Sequence, residues 1–96
     1  MNILVSYDVN TESKAGRRRL VKVAQTCKAF GQRVQFSVFE CSVDEAQYEE
    51  LVARLARIIN HSSDSILVYR LRGSREDYCE QFGLSRYVDF ENPLVL

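Results

Sequence analysis

Proline and glycine are scarce in this 96-residue chain, at one and four residues, and no repeat or low-complexity run interrupts it. A single globular domain spanning residues 1–96 is expected from that length. No apolar stretch approaches the roughly 18 residues of a membrane-spanning helix. The N-terminus runs straight into an apolar strand pattern, without the basic lead and small-residue cleavage site of a secretory signal, so the expected location is the cytoplasm. Three cysteines, Cys27, Cys41 and Cys79, form neither a disulfide framework nor a C-x-x-C metal knuckle, and reduced packing residues are expected. Histidine occurs once, as His61, and reads as a surface or structural residue. No H-x-x-x-H pair, glycine-rich phosphate loop or Cys/His zinc pattern exists, which removes most enzyme classes recognised by motif.

Acid is missing where base is abundant. From Ser13 to Phe39 the chain carries seven basic residues, Lys14, Arg17, Arg18, Arg19, Lys22, Lys28 and Arg33, and no Asp or Glu. Eleven of the thirteen acids lie from Glu40 onward, so a net charge of zero conceals a segregated distribution. Interspersed glutamates would give stabilising i,i+4 pairs; without them, Lys14/Arg18 and Arg18/Lys22 repel. A solvated charged face is one reading of this run. Binding of a polyanion, which would offset the repulsion, is the other, and phosphate contacts of this kind confer affinity without sequence readout.

The apolar run "NILVSY" at 2–7 reads as a buried central strand. Asp8 falls at its C-terminal end. Thr11 or Ser13 can cap a helix to about Phe30, with Leu20, Val23, Ala24, Cys27 and Phe30 as its core stripe and Gly31 as its stop. "RVQFSVFEC" reads as one strand. Ser42 with Glu45 has the form of a capping box opening a second helix, whose stripe is Tyr48, Leu51, Val52, Leu55, Ile58 and Ile59. "SILVYRL" gives a strand over 65–71, and "DYCEQFG" a short further strand. The assigned order is β-α-β-β-α-β, an α+β ferredoxin-like sandwich with an extra C-terminal strand over about 86–96. An apolar tail ending in "LVL" would be exposed unless paired, and the sheet edge of a second copy suits it, so a homodimer is expected. RNA-recognition motifs share this order, but "SILVYRL" lacks their glycine-aromatic signature. Core packing is the preferred reading for Tyr7, Phe36, Phe39 and Tyr69.

Asp8 has two readings. It is a turn aspartate bonding the following loop, or a hard-metal ligand at the rim of a rigid sheet. Magnesium takes one or two carboxylates and completes its shell with water and phosphate, and a two-fold dimer would bring two copies of Asp8 together.

The segments "VSYDV", "RRRLVKVAQTCKAFGQRVQFSVFEC" and "SILVYRL" resemble the CRISPR-associated protein 2 family, the small subunit of prokaryotic spacer acquisition. The resemblance implies a ferredoxin-like homodimer whose C-terminal strand crosses to the partner's sheet, with a magnesium site at Asp8 shared by both protomers. It implies metal-dependent endonuclease activity on RNA or duplex DNA, and a bridging role between dimers of the CRISPR-associated protein 1 integrase. Tyr7, Asp8, Ser37 and Phe39 match its functional positions, as do Arg33 and arginines among Arg17, Arg18 and Arg19. Lys14 and Lys22 join them on the basic helix. Nuclease and non-cleaving binding module both stay open; a small-ligand regulatory domain is disfavoured by the basic helix.

Overall fold

The computed structural model describes residues 1–85 and Tyr87. Its elements are β1 (Asn2–Asp8), α1 (Lys14–Phe30), β2 (Gly31–Gln35), β3 (Val38–Ser42), α2 (Glu45–Ile58), β4 (Ser65–Leu71) and a single helical turn, α3 (Arg75–Tyr78). The strands form one antiparallel sheet in the order β2-β3-β1-β4, and α1 and α2 pack against each other on one side of it. The β-α-β-β-α-β order and the α+β ferredoxin-like class are those expected. The extra strand over 86–96 lies outside the described residues apart from Tyr87.

Strict alternation sets the sheet. In β1, Ile3, Val5 and Tyr7 are buried while Asn2, Leu4 and Ser6 are half-exposed, so one face meets the helices and the other stays open. Val23 and Cys27 of α1, Leu51 and Leu55 of α2, and Phe39 and Cys41 of β3 close the core around the inner face. Burial pushes the Cys27 thiol up to about 12 and Cys41 up to about 11. Both thiols therefore remain protonated and act as packing groups.

Several expectations are corrected. "RVQFSVFEC" is two strands, not one. The apparent Val34/Phe36/Val38 alternation fails because Phe36 is 78% exposed and the β2–β3 register shifts between Arg33 and Gln35. Tyr7 makes the reversal by donating from its hydroxyl to the Phe36 carbonyl at 3.2 Å and from its N–H to the Ser37 carbonyl at 3.1 Å. "DYCEQFG" supplies no strand: its first residues complete α3, and the hairpin provides the fourth strand instead. The second helix is capped by Asp44 with Gln47, not by Ser42 with Glu45. Asp44 Oδ1 accepts from the Gln47 N–H at 2.7 Å while Gln47 Oε1 accepts from the Asp44 N–H at 2.9 Å, because Ser42 is still held in β3. Val52, placed in the α2 stripe, is 36% exposed, and Tyr69, read as core, is half-exposed on the outer sheet face.

The first helix begins as expected at Ser13, whose Oγ accepts from the Gly16 N–H at 3.0 Å. It then passes into β2 with no intervening loop. Gly31 permits this by close approach rather than by a left-handed turn: its backbone is extended, and a Cβ there would collide with the Glu40 carbonyl and the Cys41 sulfur.

Leu51 has no exposed surface and Val52 does, which makes them a matched pair. Leu51→Ala is expected to cost about 2–5 kcal/mol, and Val52→Ala under about 1 kcal/mol, as read from denaturant midpoints.

Candidate metal and nucleic-acid site

Asp8 is the last residue of β1, exposed, and opposite Ser65 of β4. By alternation it shares the open sheet face with Leu4 and Ser6. The residue before it is fixed firmly. Tyr7 is 4% exposed, its ring stacks on Phe39 with centroids 6.2 Å apart, and its two hydrogen bonds hold the Phe36–Ser37 reversal beside the strand end. Tyr7 and Phe39, which the resemblance places among functional residues, are thus core groups. They orient the strand end and the hairpin, and burial keeps them from touching a substrate. Ser37 is half-buried, with its carbonyl committed to Tyr7.

Beyond Asp8 the chain is clamped by a residue that the sequence reading left unassigned. The Asp64 side chain is completely enclosed. It accepts from Arg19 Nε at 2.7 Å and Nη2 at 3.4 Å, from the Asn60 N–H at 2.8 Å and from the Asn10 N–H at 3.0 Å. Hydrogen bonding to Arg19, ahead of the two backbone bonds, holds this carboxyl well below the usual carboxylate range. One ionised group therefore joins α1, the β1–α1 loop and the α2–β4 loop. Asn10 Oδ1 accepts from the Glu12 N–H at 3.0 Å, and a Cβ on Gly16 would strike the Asn10 carbonyl, so the helix sits tight against that loop. The one signal in the sequence was an acid just before a strand, in a chain whose basic run from Ser13 to Phe39 has no acid of its own.

The arginine triplet accordingly divides. Arg19 is spent on Asp64 and only 19% of its side chain is exposed. Arg17 is exposed and donates to the Thr11 carbonyl at 3.2 Å. Arg18, Lys14 and Lys22 are exposed on α1. Arg33 is exposed on β2, its guanidinium 5.2 Å from the Phe39 ring centroid. His61 lies at the end of α2 with Nε2 2.7 Å from the Ala56 carbonyl, a local bond.

Among the described residues no three His, Cys, Asp or Glu side chains converge on one point. Asp8 is a hard oxygen donor with room for water and phosphate around it, and so fits half of a magnesium site. No helix among the described residues is long and apolar enough to cross a membrane.

Sheet order, helix placement and strand-end carboxylate define a ferredoxin-like α+β protein. The chain belongs to the CRISPR-associated protein Cas2 family, whose model matches residues 1–78. It is 56% identical over 96 residues to the CRISPR-associated endoribonuclease Cas2 1 of Moorella thermoacetica, covering 100% of both chains. It is 43% identical to the CRISPR-associated endonuclease Cas2 of Halalkalibacterium halodurans over 99% of each. The crystal structure of Streptococcus pyogenes Cas2 is similar at a TM-score of 0.78 and 49% identity, over 86% of this chain and 100% of that one.

The buried ion pair carries a pH signature. A depressed folded-state pKa contributes stability above the unfolded value, near 3.8, and that contribution disappears as pH falls further. Wild-type melting temperature should therefore drop on acidification below about pH 4. Asp64→Asn should lower it already at pH 7, by the equivalent of roughly 1.5–3 kcal/mol for a charged hydrogen bond, and flatten the acid limb.

Proposed function

We propose that this chain acts as a homodimer in CRISPR spacer acquisition, binding nucleic acid and supporting the CRISPR-associated protein 1 integrase, with magnesium-dependent endonuclease activity at paired Asp8 residues. The carrying observation is that Asp8 shares the open sheet face with an apolar patch. Leu4 and Val38 are half-buried there, while Leu67 and Tyr69 are 51% and 52% exposed. A single chain leaves that patch to water. Facing a second copy across a two-fold axis, it would be covered, and each copy's Asp8 would come toward the other. The outer edge of β2 is a natural acceptor for the partner's C-terminal segment.

In this reading the two Asp8 carboxylates hold one Mg2+, which when bound would polarise a phosphodiester and activate water. Tyr7 keeps the strand end and the Phe36–Ser37 reversal in register. Exposed Arg17, bonded to Thr11 of the loop that follows Asp8, neutralises phosphate charge. The endoribonuclease and endonuclease names of its relatives support phosphodiester hydrolysis as the reaction class.

A second reading, nucleic-acid binding in the integrase complex without cleavage, is favoured by one observation. Among the described residues no group of three His, Cys, Asp or Glu side chains gathers around Asp8, and the one histidine is engaged with Ala56. Under that reading the exposed cations of α1 grip the duplex backbone and Asp8 serves the dimer axis.

Asp8→Asn is expected to abolish magnesium-dependent cleavage of single-stranded RNA and duplex DNA while changing duplex affinity by less than about twofold. Equal cleavage by variant and wild type would remove Asp8 from catalysis, and no cleavage by either would leave the binding-module reading. Tyr69→Glu should convert the dimer to monomer in sedimentation equilibrium; an unaltered mass would place the interface elsewhere.

A further inference from the structure

Helices α1 and α2 leave between them an open groove of about 630 Å³ on the outer surface of the helix layer. Its rims carry Arg18 and Lys22 from α1 and Arg54 and Arg57 from α2, with Thr26 and Ile58 also lining it. Arg18 and Lys22 stand four residues apart and Arg54 and Arg57 three apart, so each pair lies on one helical face with its charges repelling. Among the described residues no acidic side chain lines the groove. Glu50 lies 4.0 Å from Arg54 Nη1, at the limit of an ion pair and 62% exposed, which makes it a weak counter-charge. Arg19 also reaches the groove but is already bonded to Asp64. Arg54 is braced, its guanidinium 5.7 Å from the Phe30 ring centroid.

Four like charges from two helices cost stability in the isolated protein, and only an anion relieves it. Among the described residues the groove has no aromatic side chain to stack a base, and its open form provides no enclosed slot for a nucleotide. That leaves recognition by charge along a chain of phosphates. The groove lies on the helix side of the sheet, whereas Asp8 lies on the open side.

We propose that the α1–α2 groove binds the sugar–phosphate backbone of nucleic acid through Arg18, Lys22, Arg54 and Arg57, at a site separate from Asp8. The proposal rests on the nucleic-acid-binding reading above and adds α2, from the acid-rich half of the chain, to the contact surface. Cleavage and retention then use opposite sides of the sheet.

The test measures affinity for a labelled mixed-sequence duplex DNA across a salt series, comparing wild type with R54Q/R57Q and R54K/R57K. Each lost phosphate contact lowers the slope of log affinity against log salt by about 1. R54Q/R57Q should lower it by about 2 and weaken binding about tenfold or more at low salt, with melting temperature held or raised as the like-charge repulsion is relieved and Asp8-dependent cleavage of a short RNA unchanged. R54K/R57K should keep the wild-type slope. If wild type binds and R54Q/R57Q keeps its affinity and slope, the groove is overturned while the nucleic-acid reading stands. Loss of slope in the lysine variant as well would overturn charge-only recognition. Absence of salt-dependent binding by wild type would overturn both.

Discussion

A carboxylate sealed from water stays ionised only if its surroundings supply the hydrogen bonds that water would have given. Asp64 finds them in Arg19, Asn60 and Asn10, and those three donors lie on separate stretches of the chain. The ion pair therefore fixes more than its own geometry. It sets the depth at which α1 packs, the path of the loop that leaves β1 and the start of β4. Asp8, two residues before Asn10 and paired with Ser65, is held between the segments joined by that bond. Arg19 keeps 19% of its side chain exposed, so desolvation of the pair is partial, and its worth to the protein lies as much in specifying one arrangement as in net stabilisation.

The regular parts of the fold were legible because their periodicity and burial coincide. Strand β1, the α1 stripe and β4 follow from alternation or three-and-four spacing alone. The β2–β3 reversal was not, since "QFSV" contains no Gly, Asn or Asp at the turn. Its backbone acceptors are satisfied instead by Tyr7, 29 residues away in sequence from Phe36, a tertiary bond that no local pattern announces. The α2 cap was misplaced for a similar reason: Ser42 has the right side chain but belongs to a strand, so the next acid, Asp44, takes the role.

The site was legible in part. An acid at the end of an apolar run marks Asp8 plainly. The arginines looked equivalent because sequence records charge and not its partner. Among the described residues, Arg19 alone of the basic half has a carboxylate within ion-pair distance. Arg54 and Arg57 were hidden the other way, by acids on the same helix, of which only Glu50 comes within 4.0 Å of Arg54. Tyr7 and Phe39, which the family resemblance places at functional positions, are buried core groups, a placement that the resemblance alone does not announce.

The passage from Phe30 of α1 directly into Gly31 of β2 leaves no slack between helix and edge strand. Helix tilt and strand position are thereby one mechanical coordinate. Lengthening the chain by a residue at this junction would turn every later side chain of β2 to the opposite face of the sheet, and a gentler connector would uncouple the two. A shift in the tilt of α1 would therefore displace the edge strand with it.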